Sequence, residues 1–116
     1  MDNGVRVQHT DLANGRWRSL SLMAQLGNTG SEVERALKWQ EKGNEEYVRL
    51  AFERALELLD LTIADPNNRK RLKEITRTRE LLVDYFFASN TFQSTPQSWR
   101  NYFLAFAVAA RAGVQL

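Results

Sequence analysis

Cysteine is absent from the 116 residues, which excludes disulfides, thiolate metal sites and cysteine nucleophiles together and fits a reducing compartment such as the cytoplasm. Histidine occurs once, as His9. Carboxylate-bridged di-iron bundles need paired Glu-x-x-His ligands facing inward, so that class is ruled out by composition alone. Only two residues are proline, while 26% are charged and 43% hydrophobic, a balance that argues for a folded chain rather than a disordered one. No apolar run reaches bilayer length. The longest, residues 102–110, is about half of the ~20 residues a spanning helix needs, so no membrane association is expected. Neither charge sign dominates, and a formal net charge of +2 does not by itself imply nucleic acid. The first fifteen residues have neither a basic end followed by an apolar core nor a small-residue cleavage site, so no secretory signal is expected and the cytoplasm is the expected location.

What is present is helical periodicity over most of the chain. Residues 1–18 show no sustained period and read as a loose or partly docked N-terminal arm, leaving 19–116 as a single helical domain. In residues 19–42, Leu22, Leu26, Val33 and Leu37 recur at helical intervals and Gly43 supplies a stop. Asn44 is suited to cap a second helix over 45–64, whose Val48, Ala51, Phe52, Ala55, Leu56, Leu59 and Ile63 form a wide apolar stripe before Asp65 and Pro66 end it. A third helix is predicted over 68–88 from Leu72, Ile75, Leu82, Val83 and Phe86. A fourth, over 96–112, opens on the capping hydroxyl of Thr95 and on Pro96 and carries Trp99, Phe103, Phe106 and Ala110 at helical spacing. Short connections favour antiparallel neighbours, so the predicted fold is all-α, an up-down-up-down four-helix bundle.

Within the first helix the stretch QLGNTGSEVER, residues 25–35, admits three readings. A loop would split the helix and leave a marginal first piece of about two turns. A phosphate-gripping turn lacks the spacing and lysine of a P-loop and no strand precedes it. A continuous helix needs a reason for glycines that cost about 1 kcal/mol each in its interior. Close approach of another helix is such a reason, with the aromatics of the fourth helix as the natural partners.

Four polar residues suggest a pocket inside the bundle. Asn28 and Glu32 share a helix face, while Arg79 falls between Ile75 and Leu82 on the third helix's apolar stripe, and Asp60 lies among leucines. A buried arginine requires a carboxylate. Asn28, Glu32, Asp60 and Arg79 therefore form a candidate polar pocket, with an internal ion pair that fixes helix register as the plainer alternative.

The stretches QLGNTGSEVERALKW and ERALELLDLTIAD resemble the paired helices of the all-α nucleoside triphosphate pyrophosphohydrolases. In that family, Glu-x-x-Glu on one helix and Glu-x-x-Asp on the next hold magnesium against a triphosphate. The resemblance implies a second motif at Glu57 and Asp60, whereas the first stands at neutral Gln25 and Asn28, with Glu32 one turn later, so the metal site it implies is degenerate. Residues 25–39 and 53–65 also resemble phrases of small uncharacterised bacterial four-helix-bundle proteins, which implies a fold and no activity. Ribonucleases of the HEPN helical superfamily are similar in size and helix count, but the arginine and histidine they place on one helix have no counterpart here.

One local cluster is basic: RKRLKEITRTR, residues 69–79, contains six cations and one anion. Arg69, Lys70, Lys73 and Arg77 are candidates for contact with nucleic-acid phosphates or an acidic partner. The alternative is a solvated face partly paired with Glu74 and Glu80, and no aromatic suited to stacking is evident beside these charges. On the fourth helix, Leu104 and Val108 point away from the residues assigned to the core and are candidates for a twofold homodimer interface. Val5, Val7, Leu12 and Trp17 of the arm are the alternative cover for that face. Taken together, the residues predict a non-catalytic, self-associating interaction or scaffold module that uses no metal and no cofactor.

Overall fold

A computed structural model describes residues 15–113, within which the chain forms an all-α four-helix bundle. Helix α1 is Leu22–Glu41, α2 is Glu45–Ala64, α3 is Leu72–Phe87 and α4 is Pro96–Arg111. Short 3-10 segments, Trp17–Ser19 and Pro66–Arg71, precede α1 and α3. Three helices start on side chains able to satisfy free amides: Ser21 accepts from Ala24 N, Asn44 from Tyr47 N, and Thr95 exchanges a reciprocal pair of hydrogen bonds with Ser98. Gly43, at φ 74°, takes the left-handed position that ends α1 and turns the chain into α2.

Cross-helix pairs give the directions. Glu41 and Glu34 near the end of α1 meet Arg100 near the start of α4, while Gly30 and Gly27 meet Phe103 and Ala107 in turn, so α1 and α4 run antiparallel. Phe52 beside Phe86, and Asp60 beside Arg79, set α2 against α3 in the same sense. The backbone of α1 lies between those of α2 and α4. Between α3 and α4 the aromatic side chains of α4 fill the wider gap, and the Tyr102 hydroxyl sits 2.8 Å from that of Thr78. Leu26, Val33, Leu37, Phe52, Ala55, Leu59, Ile75, Leu82, Trp99 and Phe103 form the core. Burial of Tyr102 pushes its phenol pKa up against the opposing effect of the Thr78 hydrogen bond.

Three boundaries differ from the predicted ones: the first α-helix begins at Leu22 rather than 19, because Ser21 caps it after the 3-10 segment Trp17–Ser19. The third α-helix begins at Leu72 rather than 68 because Asp65 caps the 3-10 segment, accepting from Asn67 N at 2.9 Å, and Asn68 turns its side chain inward. Trp17, assigned to the loose arm, is buried, and its indole N–H donates to Thr62 Oγ1 at 3.0 Å. The other arm residues proposed as a cover, Val5, Val7 and Leu12, lie outside the described residues.

Candidate functional site

The glycines of α1 set the geometry of the α1–α4 face. The helix is continuous through them, and the expected close approach is observed. A Cβ built on Gly30 would lie 2.6 Å from Phe103 Cβ, and one on Gly27 would lie 3.4 Å from Ala107 Cα. Beside this contact runs an open groove of about 400 Å³ whose lining includes Gly27, Ser31, Glu34, Trp99, Leu104 and Ala107. The Trp99 indole N–H is buried without a hydrogen-bond partner, alone among the buried side-chain polar atoms of the described residues. Such a donor costs roughly 1–3 kcal/mol, and it belongs to a wall of the groove. Arg100, which also lines it, donates to Glu34 and Glu41, each at 2.9 Å. These hydrogen bonds, Glu34's first, raise its pKa and tie the one cation in the body of α4 back onto α1.

The outer side of α4 carries an apolar stretch that no other described residue covers. Leu104 is 58% and Val108 48% exposed, with exposed Ala105 between them in sequence and Asn101 and Gln97 one and two turns earlier. The two candidate interface residues thus lie on the surface of the described bundle, beside the groove.

The polar pocket expected from Asn28, Glu32, Asp60 and Arg79 is not assembled. Asn28 is exposed and returns its amide to the Ala24 carbonyl, and Glu32 pairs with Arg35 at 3.1 Å on the same helix. Arg79 does find Asp60 at 2.8 Å, but their side chains are 36% and 58% exposed. The physical reason lies in the helical phase. The buried seam of α3 is Ile75, Thr78 and Leu82, so Arg79 stands at its margin and reaches around α2, while Asp60 stands outside the buried Leu58, Leu59 and Thr62. An exposed pair of this kind is worth about 0–1 kcal/mol. Arg79→Ala is therefore expected to cost less than about 1 kcal/mol in chemical denaturation, and a loss of several would show the pair to be desolvated in solution.

A buried polar network exists elsewhere, around Gln25. Its side-chain amide donates to the Trp17 carbonyl and to Asp65 Oδ2, both at 2.9 Å, and its carbonyl accepts from Asn68 Nδ2 at 2.8 Å. Asn68 also donates to the Thr62 backbone carbonyl, and the Thr29 hydroxyl donates to the Gln25 backbone carbonyl one turn back. Sequence reasoning missed this cluster. Its available signal was phase, because Gln25, Thr29 and Thr62 occupy apolar-stripe positions on α1 and α2. Every partner is satisfied, which makes the cluster a fastener between the α1 start and the α2–α3 corner.

Positions to which the pyrophosphohydrolase resemblance assigns metal ligands do not converge. Gln25 is committed to the buried network, Asn28 faces outward and Asp60 is paired with α3. Among the described residues no group of three or more His, Asp or Glu is placed to hold a metal ion.

The basic residues lie together. Lys70, Lys73 and Arg77 line one shallow open cleft with Arg71 and Glu74, while exposed Arg69 precedes them. Arg69, Lys70 and Arg71 fall in the 3-10 segment before α3. The structure adds an aromatic that the sequence did not show beside them, since the Arg77 guanidinium lies over the Phe92 ring, 4.7 Å from its centre. No described helix is long and apolar enough to cross a membrane. Comparison of the chain with protein-family models, with curated proteins and with solved structures returns no match.

Proposed function

We propose that the chain is a non-catalytic helical interaction module that pairs with a second copy of itself through the outer face of α4. The observation that carries this reading is the exposure of Leu104 and Val108 on a face whose one charge, exposed Arg111, stands at its far end. Gln97, Asn101, Leu104 and Val108 follow at four, three and four residues, the spacing of a helix-pairing seam, with two polar positions, Gln97 and Asn101, at one end. A twofold interface brings a patch against itself, so a patch of one charge would repel its copy. Here Arg100, four residues before Leu104, is neutralised by two carboxylates of its own chain, and exposed Arg111 stands at the end of the face, three residues past Val108. Ala105 permits a second helix to approach closely, and the groove beside Leu104 gives an opposing side chain a recess.

Light scattering at tens of micromolar tests the reading. The expected mass is twice the 13.4 kDa of the chain, falling to the single-chain value in Leu104→Glu, which buries a charge in the seam. A single-chain mass for the unaltered protein would remove the dimer. The same preparation is expected to release no pyrophosphate from nucleoside triphosphates with magnesium, because neutral Gln25 and Asn28 stand where the resemblance would need acidic ligands. Turnover that vanished in Asp60→Ala would establish an enzyme instead.

A further inference from the structure

The connection between α3 and α4 holds a phenyl ring out in water. Phe92 is 54% exposed, yet its backbone is pinned on both sides. The Asp84 carboxylate accepts from the amides of Thr91 and Phe92 at 2.9 and 3.1 Å. Asn90 and Ser94 exchange two hydrogen bonds, each 2.9 Å. Asn90 and Gln93 flank the ring at φ 53° and 57°, a left-handed conformation that asparagine tolerates and glutamine adopts at a cost of roughly 1 kcal/mol. A strained, fastened connection that presents an apolar ring is preorganised for contact, since the ordering cost has been met before any partner arrives.

That ring terminates a cationic strip. Arg77 lies over one of its faces, and Arg77, Lys73 and Lys70 line a single open cleft of about 530 Å³. A second cleft of about 550 Å³ shares Lys70 and Arg71 with the first and leads to Arg18 and to Ser21 at the start of α1. The carboxylates on the strip, Glu74 and Glu80, are each engaged by an arginine three residues away. Lys70, Lys73 and Arg18 form no ion pair among the described residues.

We propose that this strip binds single-stranded nucleic acid, with phosphates on Arg18, Lys70 and Lys73 and one base stacked on the open face of Phe92, opposite Arg77. Cations that track a backbone and an aromatic that takes a base are the two elements of such recognition. A duplex would satisfy the cations but keep its bases in the stack, and an acidic peptide would satisfy them and leave the ring uncovered. Lys70 and Arg77 are separated by about 11 Å along the axis, at a rise of ~2.0 Å per residue in the 3-10 segment and ~1.5 Å in α3, which spans roughly three stacked nucleotides at ~3.4 Å.

Fluorescence anisotropy with twelve-nucleotide oligothymidylate and oligouridylate, using the full chain at low salt, tests the proposal. Binding is expected with a log–log salt slope near −2, at about 0.7 per neutralised phosphate. Phe92→Ala is expected to weaken it about tenfold without changing that slope, while Lys73→Gln lowers the slope by about 0.7. Phe92→Trp retains binding, which separates stacking from any disturbance of the connection, and circular dichroism of both variants matches the unaltered chain because Phe92 lies outside the core. No binding of either oligonucleotide at tens of micromolar protein would overturn the proposal. So would equal affinity for a twelve-base-pair duplex, or oligoglutamate displacing the strand equally well from the unaltered chain and from Phe92→Ala.

Discussion

Gly30→Val is expected to lower the free energy of unfolding by about 3 kcal/mol, the upper end of ordinary overpacking costs. A first side-chain carbon at residue 30 would lie 2.6 Å from Phe103 Cβ and 2.9 Å from its Cγ. Those atoms are not the far end of a flexible chain. Phe103 Cβ is fixed to the α4 backbone, so relief requires the two helices to separate and the core between them to loosen. Valine adds two further methyls where even one carbon does not fit. Its better helix propensity returns only a few tenths of a kcal/mol. Gly27→Ala provides the control, because its added carbon would lie 3.4 Å from Ala107 Cα, at the edge of ordinary contact. There the gain of up to about 1 kcal/mol in propensity offsets the small displacement, so stability is expected to stay level or rise. Urea denaturation of the three proteins decides it, and a Gly30→Val midpoint equal to that of the unaltered chain would show that α4 does not press on α1 in solution.

Gln25→Leu is expected to cost at least about 3 kcal/mol even though it keeps most of the side-chain volume. Gln25 is fully buried and serves three groups at once: the Trp17 carbonyl, Asp65 Oδ2 and the Asn68 amide. Leucine would leave each with one fewer partner in a site that offers little replacement. Unsatisfied buried groups cost roughly 1–3 kcal/mol apiece. Asp65 adds to the penalty because its side chain forms no ion pair among the described residues and relies on amide donors. A loss below about 1 kcal/mol by denaturation would mean that solvent reaches the cluster and replaces Gln25.

The helices were legible because their signals are local. Asn44, Gly43, Thr95 and Pro96 mark starts and stops through chemistry that acts within a few residues, and the apolar spacing of Leu22, Leu26, Val33 and Leu37 marks the buried face of α1. The glycines at 27 and 30 could be read as a contact surface because a continuous helix has to compensate for them. Arg79 was misplaced for a related reason. A stripe on a helical wheel has a centre and two margins, and spacing alone assigned the arginine to the centre when Thr78 occupies it. Phe92 and the Gln25 network were hidden by distance along the chain. Gln25 meets Asp65 across 40 residues and Asn68 across 43, and no pattern within one helix reports such a pairing.

The place of α1 between α2 and α4 also orders events in folding. Contacts of α1 with α2 close a link of three residues, 42–44, whereas Arg100 reaches Glu41 and Glu34 across 59 and 66 residues. Closing the longer loop costs more chain entropy, so the α1–α2 hairpin is expected to form early and α4 to dock after the rate-limiting step. Damage at the α1–α4 seam should then appear mainly as faster unfolding, with the refolding rate of Gly30→Val nearly unchanged. The surface formed last is also the first to open, and α4 is expected to exchange its amide hydrogens ahead of the hairpin on which it rests.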